Sequence, residues 1–186
     1  SNSNITKHAL AYSLKELMQT KPLDKITIGE ICDQCGMNRK SFYYHFKDKY
    51  FLVNWIFNTE FVPLVTNAHN NVSSKEKFDL LVPSMEYLYE NKIFYRNALE
   101  AKGPNSFYEH MREFLLISLK DHLRIVFENR LLDEFTINFF ADAVFAAIQR
   151  WLSEEECMTA DEFLKKVYDI LYYGSNVVQK RFSEDE

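Results

Sequence analysis

The twenty residues from Thr27 to Phe46 read TIGEICDQCGMNRKSFYYHF. Thr27 is followed three places later by Glu30, which is the capping-box pattern that begins a helix. Gly36 predicts the end of this helix, because glycine readily adopts the left-handed conformation found just after a helix. Asn38 is then a suitable cap for a second short helix over the rest of the stretch. Two short helices joined by a turn form a helix-turn-helix, and this stretch predicts one.

The second of these helices has one apolar face and one polar face. Phe42 and Phe46 are four residues apart and share the face that must pack inward. The opposite face presents Lys40 and Tyr44, and Arg39 stands near the helix start. Hydrogen-bond donors in these positions suit contacts in the major groove of DNA. A generic helical hairpin with a polar surface would show the same features, so the residues alone leave both interpretations open.

The chain as a whole contains few residues that favour turns. It has 186 residues, of which only four are glycine and four are proline. Sheet-rich folds need many tight turns, so this composition disfavours a sandwich or a barrel. Hydrophobic residues make up 47% of the chain, and their spacing predicts an all-α protein of about nine helices. The predicted helices cover about residues 4–19, 28–34, 39–46, 49–67, 73–91, 94–102, 106–128, 134–152 and 160–182.

The few glycines and prolines outside the motif mark expected interruptions. Pro63 and Pro83 lie inside predicted helices and are expected to bend or end them, because proline lacks the N–H that a helix needs. Gly103-Pro104 predicts a break between two helices. Gly174 lies within the last helix, where we expect a close contact with another helix.

Charge is distributed unevenly along the chain, whose formal net charge is −5. Residues 1–50 carry eight basic and five acidic side chains, whereas the other residues carry 14 basic and 22 acidic ones. Such an asymmetry indicates a basic module attached to an acidic one. A small imbalance of this kind also arises by chance, so charge supports DNA binding only together with the motif.

Cys32 and Cys35 form a C-x-x-C pair in the first helix of the motif, and Cys157 is the third cysteine. Three cysteines are too few for a disulfide scaffold. Zinc usually needs four ligands at workable spacing, and a thioredoxin-type redox site needs a strand before its helix. The sequence offers neither arrangement. We therefore expect no metal site, and we expect Cys32 and Cys35 to pack between helices.

No pattern in the chain predicts catalysis. The five histidines never pair four residues apart, and there is no phosphate-binding loop or serine-nucleophile pattern. We expect neither an enzyme nor a bound cofactor. No apolar run approaches the roughly 18 residues that a membrane span requires, and no signal-peptide pattern opens the chain. These features predict a cytoplasmic protein without a membrane partner.

The motif extends into a recognisable string. Its core is the apolar spacing, the turn residue Gly36, the Phe-Tyr-x-His-Phe string that begins at Phe42, and the following Lys49. Over about the first 55 residues, this pattern resembles the DNA-binding domain of TetR/AcrR transcriptional regulators. The resemblance implies a helix-turn-helix domain over residues 1–50 and a C-terminal domain for dimerisation and signal reception over residues 51–186.

Two further strings, at 55–57 (WIF) and 90–95 (ENKIFY), are similar to a DhaS-like branch that regulates dihydroxyacetone kinase genes. The family resemblance implies a homodimer on a near-palindromic DNA operator, switched by a small-molecule or protein effector. Repression is the family default, whereas the DhaS-like branch suggests activation under the control of a kinase-related protein partner. A helical interaction protein that does not bind DNA is the alternative from another class.

The resemblance also implies roles for individual residues of the motif. It implies phosphate contacts from Thr27, Tyr43, His45 and Lys49. It implies contacts with bases or the groove from Asn38, Arg39, Lys40, Ser41 and Tyr44. Lys40 stands where the family usually has a small residue, and Asn38 stands where it often has serine. The bases that are read therefore stay open, and Lys40 could contact a phosphate instead.

The last two predicted helices, over about residues 134–152 and 160–182, carry small residues among large apolar ones. As in the resembled family, we expect them to pack against their copies in a four-helix dimer interface. The expected interface residues are Ile137, Phe140, Val144, Ala147, Ile148, Trp151, Val167, Ile170, Leu171, Gly174 and Val178. The same pattern would equally suit core helices of a monomer.

The middle helices are rich in aromatic residues, which in the resembled family could line an effector pocket. The candidate lining residues are Trp55, Phe57, Phe94, Tyr95, Phe107 and Tyr108. An ordinary hydrophobic core would use the same residues, so the sequence leaves the existence of a pocket open.

Overall fold

The computed structural model describes residues 2–66, 74–101, 105–126 and 133–183, and these residues contain no β-strand. In chain order the helices are α1 (Asn2–Leu17), α2 (Ile28–Gln34), α3 (Arg39–His45), α4 (Lys49–Ile56), α5 (Val62–Thr66), α6 (Ser74–Glu90), α7 (Lys92–Glu100), α8 (Phe107–Val126), α9 (Glu134–Ser153) and α10 (Ala160–Ser183). A π-helical turn joins α4 to α5, so residues 49–66 form one continuous helix. Counted in this way, the described residues form nine helices, which confirms the all-α prediction.

Three parts of the molecule are used below. The N-terminal unit comprises residues 2–48 and contains α1, α2 and α3. The connecting helix comprises residues 49–66. The C-terminal unit comprises the described residues from 74 to 183 and contains α6 to α10.

The N-terminal unit is held together by apolar side chains from its three helices. Leu10 and Leu14 of α1, Ile31 of α2 and Phe42 of α3 are all fully buried. The buried hydroxyl of Ser13 donates a 2.7 Å hydrogen bond to the carbonyl oxygen of Ile31, which joins α1 to α2. Burial of such apolar side chains is the main source of stability for a unit of this size.

The connecting helix widens just before Pro63. A proline ring clashes with the carbonyl group four residues earlier in a regular α-helix and supplies no N–H. Here residues Phe57–Phe61 form a π-helical turn, in which the N–H of Val62 donates to the carbonyl of Phe57. The helix therefore continues past Pro63 through a local change of winding. Within α6 the helix likewise continues across Pro83.

The C-terminal unit packs its helices in pairs, with α8 against α9 and α10 against α6. The rings of Trp151 on α9 and Phe163 on α10 stack with centroids 4.5 Å apart and planes 8° apart. The buried rings of Phe57, Phe94 and Tyr95 belong to the same continuous core as the N-terminal unit. A single core therefore extends across all three parts of the molecule.

The breaks predicted from the sequence have different outcomes. The predicted helix start at Ser73 and the predicted break at Gly103-Pro104 lie outside the described residues. Gly174 lies within α10, but a Cβ added there would have no neighbouring atom within 4 Å, so the expected close contact does not occur inside the protomer. The helix α1 ends two residues earlier than predicted, where the N–H groups of Gln19 and Thr20 bond three residues back, to Glu16 and Leu17, instead of four.

Candidate nucleic-acid interface

The start of α2 is fixed by the capping box that the sequence predicts. The N–H of Glu30 donates to Oγ1 of Thr27 at 3.2 Å, and the N–H of Thr27 donates to Oε2 of Glu30 at 2.8 Å. The carboxylate of Glu30 also forms an ion pair with Lys21. These contacts, led by the bond from Lys21, lower the pKa of Glu30 from its ordinary value to about 2. The beginning of the motif is therefore held by a charged carboxylate.

The turn between α2 and α3 depends on Gly36, whose φ angle is +67°. The N–H of Met37 beyond it donates a 2.9 Å bond back to the carbonyl of Cys32. This is the left-handed conformation that glycine adopts with little cost. The turn sets the direction in which α3 leaves α2.

The helix α3 has the two faces that the sequence predicts. The side chain of Asn38 caps it by accepting a 2.9 Å bond from the N–H of Ser41. On the inner face Phe42 and Phe46 are buried, whereas on the outer face Tyr43 and Tyr44 are 58% and 82% exposed. Two large aromatic side chains on the surface of one short helix are suited to contact with a partner.

Arg39 lies back against the start of α2, beside Gly29. A Cβ built on Gly29 would stand 2.7 Å from Nη2 of Arg39, so a larger residue there would require the guanidinium group at the end of this flexible side chain to shift. Gly29 is buried and Arg39 remains exposed. The sequence predicts a DNA contact for Arg39 but does not reveal the part that Gly29 plays in placing it.

Lys49 begins the connecting helix and points back into the N-terminal unit. Its Nζ donates to three backbone carbonyls, those of Leu23 at 2.7 Å, Asp24 at 3.1 Å and Ile26 at 2.8 Å. Partial burial lowers the pKa of the Lys49 ammonium group from its usual value. All three N–H bonds of this group are used, so a phosphate contact from Lys49 would require one of them to be exchanged.

The nine residues predicted to contact DNA lie at the start of α2, along α3 with its cap, and at the start of the connecting helix. The exposed ones are Thr27, Asn38, Arg39, Lys40, Tyr43 and Tyr44, and the half-buried ones are Ser41, His45 and Lys49. The ring of His45 meets that of Tyr44 edge to face, with centroids 4.9 Å apart. The structure thus presents an aromatic and basic surface on α3, which Asn38 caps at its start.

Two parts of the chain match known regulatory proteins. Residues 14–54 match the bacterial regulatory proteins of the tetR family. Residues 75–173, which are more than half of the chain, match the transcriptional regulator C-terminal region of TetR-type proteins.

The chain belongs to the TetR family. It is a DNA-binding transcriptional regulator of the TetR type.

This TetR-family chain is similar to proteins described as DhaS. It is 31% identical over 94 residues to the HTH-type dhaKLM operon transcriptional activator DhaS of Lactococcus lactis subsp. lactis (strain IL1403). The match covers 50% of this chain and 49% of the relative, so it spans about half of the relative's length.

Solved structures share the fold over nearly the whole chain. The TetR transcriptional regulator from Streptococcus agalactiae 2603V has a TM-score of 0.70 at 20% identity, covering 91% of this chain and 95% of its own. The dihydroxyacetone kinase operon activator DhaS has a TM-score of 0.62 at 22% identity, covering 93% and 97%. The similarity to these structures confirms the TetR fold.

The structure buries three of the eleven predicted dimer residues inside the protomer of this TetR-family chain. Ile148, Trp151 and Leu171 are buried, and Ile170 is exposed. Ile137 and Gly174 are half-buried, and the side chain of Val178 lies outside the described part. The residues that pack partly buried against the core are Phe140, Val144, Ala147 and Val167. In this conformation, therefore, the buried residues of the set cannot form a surface between two copies.

A different face of α9 is exposed and apolar. Phe135 and Phe139 are 75% and 59% exposed, and their rings stack with centroids 6.3 Å apart. Ala143 and Ala146 are exposed on the same side of α9 and line a surface groove of 380 Å³. The four residues are here called the α9 outer face. The set of residues predicted for the dimer interface does not include these four.

The rings predicted to line an effector pocket instead fill the core. Phe57, Phe94, Tyr95 and Phe107 are almost completely buried. Phe57 lies 5.2 Å from Phe107, and Phe94 lies 4.9 Å from Tyr95, between ring centroids. Such distances are those of directly packed aromatic pairs, so these four rings pack on one another as part of the core.

The other two predicted pocket residues are half-buried. Tyr108 packs edge to face on Phe145, with ring centroids 4.8 Å apart. Trp55 lines an open surface groove of 540 Å³ that runs between the N-terminal unit and the start of α8. The six residues therefore do not surround a common space.

Cys32 and Cys35 occupy packing positions on α2. Cys32 is buried, which raises the pKa of its thiol, and Sγ of Cys35 donates a 3.3 Å bond to the carbonyl of Ile31. Among the residues that the structure describes, no group of three or more histidine, cysteine or acidic side chains is placed to hold a metal ion. No helix in the described ranges is both long and apolar enough to cross a membrane.

Proposed function

We propose that this protein binds a near-palindromic DNA operator as a homodimer, with α3 of each copy in the major groove. The observation that supports this most is the outer face of α3, where Lys40, Tyr43 and Tyr44 are exposed on a helix that Asn38 caps at its start. The N-terminal domain of residues 1–50 would contact DNA, and residues 51–186 would pair the copies and receive the signal. A regulator of chromosomal DNA acts in the bacterial cytoplasm, which is the compartment we propose.

The proposed contacts divide into two groups. Thr27, Tyr43 and His45 donate to phosphates and fix the position of the protein on the duplex. Lys49 supports them by holding the 23–26 segment through its three carbonyl bonds. The residues proposed to lie in the groove and read bases are Asn38, Arg39, Lys40, Ser41 and Tyr44.

The proposed occupant of the α9 outer face is a second copy of the chain. TetR-type regulators bind DNA as dimers. A stacked pair of phenylalanine side chains exposed to solvent indicates an interaction site. The exposed alanines Ala143 and Ala146 leave room for a helix of the partner to approach closely. Dimerisation would bring two α3 helices to successive major grooves on one side of the duplex.

The packed aromatic core supports control from the surface rather than from a cavity inside the C-terminal unit. Because Phe57, Phe94, Tyr95 and Phe107 are already in contact, a ligand could enter between them only by separating the rings. The effector class that we propose is a protein partner, and a small molecule at the surface is the alternative. Such an effector changes DNA affinity only through its different affinities for the two states of the regulator.

Repression by occupation of promoter DNA is the proposed mode of action. The likeness to DhaS, which is described as an activator, supports activation as the second candidate. Selection of bound fragments from the source genome, followed by a reporter fused to each selected promoter, distinguishes the two. Deletion of the regulator should raise reporter output under repression and lower it under activation. Recovery of no specific fragment would contradict operator binding and favour a helical interaction protein.

A further inference from the structure

A chain of polar contacts crosses all three parts of the molecule at one point. Nζ of Lys15 on α1 lies 2.8 Å from Oε2 of Glu60 on the connecting helix. The same oxygen accepts a 2.5 Å bond from the hydroxyl of Tyr87 on α6. The hydroxyl of Tyr95 on α7 in turn donates to that of Tyr87 at 3.0 Å. These four residues, Lys15, Glu60, Tyr87 and Tyr95, are here called the Glu60 joint.

The π-helical turn fixes the position of Glu60 in this joint. Glu60 belongs to the turn and lies between Phe57 and Phe61 in sequence. The buried rings of these two residues stack directly on each other, with centroids 4.8 Å apart. Turns of this kind are uncommon and often occur at functional positions. Because the two rings anchor the turn in the core, its carboxylate is held between α1 and α6 with little freedom.

The side chains of the Glu60 joint are largely shielded from water. The side chains of Lys15 and Glu60 are only 22% and 26% exposed, and Tyr95 is fully buried. Burial raises the pKa values of Tyr87 and Tyr95, so both hydroxyls keep their protons and act as donors. Hydrogen bonds to a charged group are stronger than those between neutral groups, and a partner left unpaired here is costly.

A second set of hydrogen bonds joins α7 to the N-terminal unit just after the end of α1. The Oδ1 of Asn97 accepts a 2.8 Å bond from the N–H of Leu23. Its Nδ2 donates to the carbonyls of Met18 at 3.1 Å and Lys21 at 2.7 Å. One amide side chain of the C-terminal unit thus uses three backbone groups of the segment that precedes α2.

We propose that Glu60 and Asn97 are positioning residues that fix the angle of each N-terminal unit on the C-terminal unit and thereby determine the half-site spacing that the dimer reads. The inference rests on the proposed function, since spacing has a meaning only for a dimer on DNA. The two ties hold the N-terminal unit at separate points, α1 and the segment before α2, and so add polar, directional restraints to the shared apolar core. Loss of a tie would let the two α3 helices reach operators of other spacings.

The test compares the affinity for the selected operator with that for versions lengthened or shortened by one base pair at the centre. Binding is measured by fluorescence anisotropy for the wild-type chain, Glu60→Ala, Tyr87→Phe and Asn97→Ala. Asn91→Ala is the matched control for Asn97→Ala, because it also removes an amide group that donates to a backbone carbonyl, that of Tyr87 at 2.9 Å, but this bond lies within the C-terminal unit. Thermal unfolding of every variant establishes that it is folded.

The wild-type protein and Asn91→Ala should prefer the natural spacing. In Glu60→Ala, Tyr87→Phe and Asn97→Ala the ratio of affinities between natural and altered spacing should fall by about fivefold or more, as expected for loss of a coupling between parts of a protein. Tyr87→Phe is the milder change and keeps the result interpretable where Glu60→Ala folds poorly. If a variant loses affinity equally at every spacing, the ratio is unchanged. That result would refute the role of these residues in spacing and leave operator binding itself intact. Failure of the wild-type chain to bind any selected operator would instead refute the proposed function.

Discussion

Residues that are neighbours in the motif have different structural roles. Thr27 and Asn38 satisfy backbone groups at helix starts, and Gly36 supplies a conformation that other residues adopt at a cost. Lys49 directs its charge at three carbonyls inside the protein. Three predictions at this scale concern Gly36, Glu30, and the pair Tyr43 and Lys40.

Gly36→Ala should lower the free energy of unfolding by about 1 kcal/mol, because alanine is strained at positive φ. Space is not the cause, since a Cβ added at Gly36 meets no atom within 4 Å. Gly36→Asn is the control and should cost less, because asparagine enters the left-handed region more readily. Chemical unfolding measures both variants, and an equal loss in the two would contradict the role given to φ.

Glu30 should make the stability of the protein depend on pH in the acid range. Its pKa of about 2 in the folded chain lies below the value of 4.5 expected when unfolded, so its stabilisation is present above that value and is lost as pH falls towards 2. Unfolding of the wild type and Glu30→Gln is compared between about pH 6 and about pH 3. Glutamine preserves the capping box, so the comparison isolates the charge. The difference should narrow as pH falls, and a constant difference would refute the assignment.

Tyr43→Phe and Lys40→Ala should affect DNA binding in different ways. Loss of the Tyr43 hydroxyl removes a proposed phosphate contact, so affinity should fall equally for all sequences. Loss of Lys40 should relax the preference at one base position by about 1–3 kcal/mol. Competition binding against a library of operator variants measures both effects. A sequence-independent loss in both variants would show that Lys40 also contacts phosphate.

At the scale of elements, the last helices show that an amphipathic pattern suits the core of a protomer as well as a dimer interface. The wide apolar face of α9 packs on α8 and α7, so it belongs to the protomer. The narrower α9 outer face is the part left in solvent. A helix in a dimer needs two apolar faces, one for its own core and one for the partner, and only packing distinguishes them.

Phe139→Glu should convert the dimer into a monomer, because it places a charge in the middle of the α9 outer face. Light scattering at micromolar concentration measures the change in mass. Tyr12→Glu is the matched control, since Tyr12 is also an exposed aromatic residue, 67% exposed on α1, and the dimer should survive its replacement. A Phe139→Glu protein that remained dimeric would place the interface elsewhere.

At the scale of the whole molecule, net charge and DNA binding are reconciled by the distribution of charge. The chain carries a formal charge of −5, yet residues 1–50 have more basic than acidic side chains. Since phosphates are contacted over short distances, the acidic C-terminal unit is screened from the DNA at physiological salt. The N-terminal unit therefore determines the electrostatic part of the affinity.

The affinity for operator DNA should fall steeply as salt rises, with a log–log slope of about −0.9 for each phosphate contacted. A monomer contacts about half as many phosphates, so the Phe139→Glu variant should show about half the slope of the dimer. Anisotropy titrations over a series of potassium chloride concentrations provide both values. Identical slopes would mean that the two N-terminal units do not bind together, and a wild type insensitive to salt would contradict the phosphate contacts.

Local patterns predicted much of the fold and of the site. The limits of α2 and α3, the caps at Thr27 and Asn38, and the exposed face of α3 all follow from residues at most four positions apart. The resemblance of the motif to TetR regulators is confirmed by the family matches. The π-helical turn before Pro63 was expected only as a bend, because the sequence shows that a proline must disturb the helix but not how the core accommodates it.

Local sequence patterns are enough to predict that the chain is helical, where its motif begins and ends, and which face of α3 meets solvent. These properties depend on backbone capping and on periodicity, which act between near neighbours. The three carbonyl bonds of Lys49, the filled aromatic core, the α9 outer face and the Glu60 joint are visible only in the folded chain. Their partners lie far apart in the chain, as Lys15 and Glu60 are 45 positions apart and Asn97 and Met18 are 79. Only the packing of helices brings such groups within bonding distance.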